Sequence, residues 1–249
     1  MPIKIQVCAD AQEVARIAAG KLIEQVRDKP ETVLGLATGS TPEQTYFEIT
    51  RLAEGEDVSF RRVSSYNMDE YRGLAGSHPQ SYRYYMQEKL FKHLDIKPEN
   101  THLLDGRAKD CAAECAAFEA RIRAGGGIDL WLLGIGTNGH IAFNEPGSSF
   151  ECRTRLVDLS KETIAANSDG RFFKDPAEVP RQALTVGIAT IFDARKIVLL
   201  ATGEKKAAAI AAAVEGPRTQ DLPASRLQEH PDCLFLLDPA AASKLTRRA

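Results

Sequence analysis

DLWLLGIGTNGHIAFNEPG, residues 129–147, is the stretch on which the fold turns. After Asp129, which follows Ile128, Leu130–Gly134 is a continuous run with no polar alternation, and Asp129–Gly134 reads as a strand buried on both faces. A glycine-rich, polar segment follows at once, so the strand ends in a loop rather than in a hairpin. Three further short runs have the same character, Val33–Ala37, Lys196–Ala201 and Cys233–Leu237, and Val63–Tyr66 also looks like a strand. An alternating strand at Ile3–Cys8 precedes them. Between the runs lie stretches with helical spacing, such as Ala11–Val26 with Val14, Ile17, Ala18, Leu22 and Val26, then Cys111–Ala124 and Lys205–Val214. Strands separated by helices imply crossovers and a mostly parallel sheet. The expectation is a three-layer α/β/α single domain, residues 1–249, with a mostly parallel Rossmann-like sheet. In such sheets ligands bind beyond the carboxyl ends of the strands, so the loops after the strands carry the information about function.

Composition limits the partners. The 249 residues carry 32 Lys+Arg and 34 Asp+Glu, a formal net charge of −2. That balance argues against nucleic acid or an anionic membrane surface as a partner, both of which require a basic excess. No apolar run reaches the roughly 20 residues that span a bilayer, and the first residues lack the apolar core of a signal peptide. The five scattered cysteines (Cys8, Cys111, Cys115, Cys152, Cys233) make no zinc spacing and read as free thiols of a cytoplasmic protein.

Three loops and two basic positions are candidates for chemistry. After Val33–Ala37 comes Thr38-Gly39-Ser40-Thr41-Pro42-Glu43-Gln44. Thr41 fits an N-cap, Pro42 the first helical position and Gln44 the third residue of a capping box. The amides of Gly39, Ser40 and Thr41 at a helix start suit a phosphate, while a well-capped turn without ligand reads equally well. After Val63–Tyr66 stand Asn67-Met68-Asp69-Glu70. A buried carboxylate there would be a better base, and the alternative is Asp69 as a helix cap. In the loop after Asp129–Gly134, Gly134, Gly136 and Gly139 match G-x-G-x-x-G. Pro146-Gly147 nevertheless end any helix within two turns, against a dinucleotide site. The glycines there are expected to let the backbone approach a substrate. His140 needs a partner to fix its tautomer, which Glu145 or Asn138 could supply. Arg171 lies in a polar region from about 159 to 180, long enough for an active-site lid. Lys206 begins an Ala-rich helix, where a bound anion would offset its conflict with the helix dipole.

Together these segments resemble the glucosamine-6-phosphate deaminase family. The resemblance runs from about residue 3 to 238 through LGLATGSTPEQTY (34–46), NMDEYRGL (67–74), SYRYYM (81–86), LLGIGTNGHIAFNEPGSSF (132–150), NSDGRFF (167–173), ALTVGIATI (183–191) and EKKAAAIAAAVEG (204–216). It implies conversion of a 2-amino-2-deoxyhexose 6-phosphate to a ketose 6-phosphate and ammonia, without metal or organic cofactor. In that resemblance His140 assists ring opening, Asp69 takes the C2 proton and returns it at C1, and Glu145 orients His140. Gly39, Ser40, Thr41, Arg171 and Lys206 match phosphate-binding positions. Asn138 stands where many members carry Asp; Asn can only hydrogen-bond, which leaves Glu145 to carry the charge interaction with the imidazole. The expected partner is a small-molecule amino sugar phosphate, and a homo-oligomer is compatible with the sequence. The short stretch after Asp238 leads to an expectation of no regulatory extension. Alternative readings are the galactosamine epimer as substrate, a 6-phosphogluconolactonase-like hydrolase, and a non-catalytic sugar-phosphate sensor.

Overall fold

The computed structural model describes residues 3–168 and 173–246. In chain order these form β1 (Lys4–Val7), α1 (Ala11–Asp28), β2 (Val33–Leu36), α2 (Ser40–Gly55), β3 (Ser64–Asn67), β4 (Asp69–Tyr71), α3 (Tyr82–Lys89), β5 (Thr101–His102), α4 (Cys111–Ala124), β6 (Leu130–Gly134), β7 (Arg155–Asp158), α5 (Lys161–Asn167), β8 (Gln182–Thr185), α6 (Ile188–Phe192), β9 (Lys196–Ala201), α7 (Ala207–Glu215) and β10 (Cys233–Leu237). Seven strands make one sheet in the order β1-β10-β9-β6-β2-β3-β5, and every pairing in it is parallel.

Successive strand residues point to opposite faces, and the core follows that alternation. Leu34, Leu36, Leu130 and Leu132 pack with Val14, Leu22, Tyr46 and Ile49 on the α1–α2–α3 side. Val33, Trp131, Leu133 and Leu199 pack with Phe118, Ile122 and Ile210 on the α4–α7 side. Burial on both faces is what the unbroken apolar runs required. Gly35 is paired with Trp131, and a Cβ on Gly35 would sit 1.7 Å from the indole. A glycine in the middle of this strand is therefore the space that the Trp131 ring fills.

Two departures from the sequence reading bear on the site. A second, antiparallel sheet of order β4-β8-β7 covers the end of the first and was not foreseen. Its strands are short, and β7 alternates half-buried and exposed residues, so no apolar run announces it. The helix expected to begin at Lys205 opens as a single 3-10 turn over Glu204–Lys206, with α7 starting at Ala207. Among the described residues no helix is long and apolar enough to cross a membrane.

The order of the central strands decides what meets what. β3, β2, β6 and β9 are adjacent and parallel, so the loops that leave their carboxyl ends converge: Met68-Asp69, Thr38–Thr41, 135–147 and 202–206. The chain runs outward from β2 in one direction and from β6 in the other, which makes their junction the switch point where such sheets bind ligands.

The opposite ends of these strands are tied by Asp129. Its buried carboxylate accepts from Lys29 Nζ at 2.7 Å, Thr32 Oγ1 at 3.1 Å, the Val33 amide at 2.8 Å and Arg195 Nη1 at 3.1 Å. One side chain thereby joins the starts of β2, β6 and β9. Burial pushes the Asp129 carboxyl up, but the bonds from Lys29, Val33 and Thr32 outweigh it and hold the group below its ordinary value. A group depressed on folding contributes stability above its unfolded pKa and loses it as pH falls through the folded value. Asp129→Asn should cost about 2–4 kcal/mol at neutral pH, read from urea unfolding, with the gap to wild type narrowing in acid.

Candidate active site

The four loops line a cleft of about 290 Å³ that includes Gly39–Thr41, Asp69, His140, Thr163 and Lys206. A larger groove of about 740 Å³ lies between α4 and β7. The buried carboxylate on that groove, Glu119, is already bonded by Thr154 and Thr190.

Asp69 is the first residue of β4, where it pairs with Thr185 of β8. It is 5% exposed, and its Oδ1 has no hydrogen-bond partner among the described residues. Burial, and to a lesser degree the neighbouring Glu70, push its carboxyl up to about 8. A carboxylate without donors costs free energy on folding, so this side chain is held where stability alone would not place it. The cap alternative does not hold: the first amides of α3 are taken by Glu70, through Tyr82 N at 3.0 Å and Arg83 N at 3.1 Å. Of the two adjacent carboxylates, Asp69 lines the cleft and Glu70 is bonded to α3.

His140 is placed by backbone geometry. Gly139 has φ +84°, and a Cβ on Gly136 would lie 2.3 Å from the imidazole. Gly136 thus makes room for the histidine ring and also lines the cleft. The loop is held by Phe143 N donating to Thr185 Oγ1 at 3.0 Å and by Asn144 Nδ2 donating to the carbonyls of Ile141 and Val186, both at 2.9 Å. Thr185 therefore links the strand of Asp69 to the loop of His140.

Glu145 is the charged partner of the imidazole, with Oε2 3.6 Å from His140 Nδ1. Asn138 does not contact the ring as a tautomer partner. Its Nδ2 donates to Glu145 Oε2 at 2.8 Å and its Oδ1 accepts from the His140 backbone amide at 3.2 Å. Two hydroxyls from the following segment complete the carboxylate: Ser160 at 3.2 Å and Thr163, both on Oε1. Burial raises the Glu145 carboxyl, but His140, Thr163 and Asn138 together pull it down to about 2. Glu145 is an ionised anchor behind His140, and Asp69, which lines the cleft with His140, has the higher proton affinity. Environments that drive two carboxyls apart in this way assign them different roles.

The Gly39–Thr41 loop differs from the expected capping box. Gly39, at φ +113°, is the N-cap, α2 begins at Ser40, and no side chain caps the helix. Positive φ at Gly39 starts the helix two residues too early for Thr41 and Gln44 to serve as caps. The loop is instead fixed by the hydroxyls of two tyrosines, buried Tyr46 on the Ala37 carbonyl and half-buried Tyr85 on the Gly39 carbonyl at 2.7 Å. Lys206 lines the same cleft, forms no ion pair among the described residues, and is pushed down by burial. Arg171 lies outside the described residues. Sequence reasoning missed Thr163, Ser160 and Tyr82 as cleft or network members; the Ser160-x-x-Thr163 spacing of a helix cap was the available signal for the first two. Among the described residues no three His, Cys, Asp or Glu side chains come together to hold a metal.

The model for glucosamine-6-phosphate isomerases and 6-phosphogluconolactonases matches residues 9–235. The chain belongs to that family. It is 51% identical to a glucosamine-6-phosphate deaminase of Rhodopirellula baltica, over 99% of this chain and 98% of the relative. Among solved structures, a monomeric glucosamine-6-phosphate deaminase matches with a TM-score of 0.95 and 43% identity, covering 97% of this chain and all of that one. A 6-phosphogluconolactonase from Trypanosoma brucei matches with a TM-score of 0.77 at 21% identity, covering 98% and 99% of the two chains, which shows the shared fold.

Asn138 reaches Glu145 as a donor, so its replacement by a carboxylate has a defined outcome. Asn138→Asp removes a bond and adds a like charge, and the Glu145 carboxyl should rise from about 2 by about 1 pH unit or more. A 13C NMR titration of labelled Glu side chains would read this.

Proposed function

We propose that this chain isomerises and deaminates glucosamine 6-phosphate to fructose 6-phosphate and ammonia. The observation that carries the reading is the Asp69 carboxyl, buried in the cleft with an unbonded oxygen and raised to about 8, in the same cleft as an imidazole whose partner Glu145 stays ionised. The deaminase relatives at about half identity over nearly the whole chain support the choice of amino sugar. A lactonase needs no base for a carbon-bound proton, so the strained burial of Asp69 would serve nothing there.

In this reading the phosphate sits on the Ser40 and Thr41 amides at the uncapped start of α2, with Lys206 and Arg171 as its cations. The handle supplies orientation at the reacting carbons 1 and 2. His140, steadied by Glu145, moves the proton that opens the pyranose ring. Asp69 then takes the C2 proton, the C2–H electron pair forms a C1=C2 double bond as the C1=O π pair moves onto O1 and is protonated there, and the same carboxyl returns a proton to C1 as the nitrogen lone pair forms C2=N. The nitrogen at C2 is left as an imine, which water hydrolyses to the ketone with loss of ammonia. The segment at about 159–180 is the lid in this reading, since it brings Thr163 onto Glu145 and closes over the bound sugar.

An ammonia-release assay on glucosamine 6-phosphate and galactosamine 6-phosphate tests the assignment, with the gluco epimer expected to turn over faster. Asp69→Asn should lower kcat by about 10³-fold, and unchanged turnover would overturn the base assignment. Lys206→Ala should raise KM about 10- to 100-fold with a smaller change in kcat. Because the base works ionised, kcat/KM of the wild type should rise with pH through about 8.

A further inference from the structure

Glu70 follows Asp69 in β4, so strand alternation sends the two side chains to opposite faces. Asp69 faces the cleft. Glu70 Oε1 accepts from Tyr71 N at 2.9 Å and Tyr82 N at 3.0 Å, and Oε2 from Arg83 N at 3.1 Å. Tyr82 and Arg83 are the first two residues of α3, and Ser81 takes the third free amide through Tyr84 N. A residue from another element thus satisfies the helix start that its own cap leaves open. The fit is close on the remaining side, where a Cβ on Gly106 would lie 3.3 Å from Glu70 Cγ and 2.1 Å from the Tyr71 carbonyl. Tyr82, fixed by this bond, lines the cleft together with Asp69.

We propose that Glu70 is a positioning residue for the proton-transfer step: clamped on the start of α3, its carboxylate holds Asp69 and Tyr82 in place on the lining of the cleft and sets an acidic group behind the Asp69 carboxyl. The proposal rests on the reading of Asp69 as the base. Burial raises the Glu70 carboxyl, while the Tyr82, Arg83 and Tyr71 amides draw it back. The groups that face Asp69 are Tyr46 from α2, Tyr82 from α3 and Tyr71 from β4, with His140 and Lys206 lining the same cleft from the loops after β6 and β9. Among the causes acting on Asp69 itself, Glu70 is the charged one. A like charge beside the base keeps its proton affinity high, which strengthens it as an acceptor from carbon.

The test compares pH profiles of kcat/KM for wild type, Glu70→Gln and Glu70→Asp, with circular dichroism to confirm folding. Glu70→Gln keeps the length, removes the charge and gives up the amide bond to one of its two oxygens; the acidic limb should move down by about 1 pH unit, with kcat lowered. A limb that stays in place in a folded Glu70→Gln overturns the proposal. Glu70→Asp keeps the charge but is too short to reach both α3 amides. Its kcat should fall about tenfold with the limb unmoved, and undiminished kcat overturns the clamp even if Glu70→Gln fails to fold. Asp69→Asn in the same assay separates the two ideas. If that variant stays active, the base assignment itself has failed. If it is inactive and Glu70→Gln shows no shift, only the Glu70 role has failed.

Discussion

One buried, unbonded carboxylate dictates much of the architecture around the cleft. Leaving a polar oxygen of Asp69 without a partner costs the fold free energy, and the chain holds it there by over-determining its strand. β4 is pinned on one side by its antiparallel ladder to β8 and on the other by the Glu70 clamp on α3. Beneath it, Tyr71 packs against Tyr82, Phe143 and Phe173 at ring separations of 5.0–5.7 Å. This aromatic floor excludes water from the carboxyl and keeps the local dielectric low, the condition that makes a carboxylic acid basic.

The family contains enzymes of different chemistry on one scaffold, and the geometry shows where they can diverge. The parallel sheet supplies converging strand ends; the short loops supply the reagents. The His140 loop and the Gly39 turn need only a strand end and a positive-φ glycine. Asp69 sits on the additional antiparallel sheet, which keeps its desolvated carboxyl in place where a loop alone would not.

The central sheet was legible because burial on both faces erases polar alternation, so runs such as Leu130–Leu133 could be nothing but interior strands. The small sheet was not, since Arg155–Asp158 and Asp69–Tyr71 carry charged residues that read as loop. The same division applies to the cleft. Asp69, His140 and Glu145 stood out through their place after strands. The role of Asn138 was misread because proximity in sequence suggested the ring, whereas the turn at Gly139 folds its amide onto Glu145. Thr163 lies 18 residues from Glu145, and nothing local connects them. Gly39 displaced the expected cap because φ there is set by the close approach of two tyrosine hydroxyls to the backbone, a tertiary constraint.

The Asp129 knot and the cleft occupy opposite ends of the same strands. Cohesion of the sheet is therefore anchored about one strand length away from the cleft. For protein engineering this separates two tasks that often compete: the amino ends can be reinforced to raise heat tolerance, and the carboxyl-end loops can be rebuilt for a new sugar, with little trade between them.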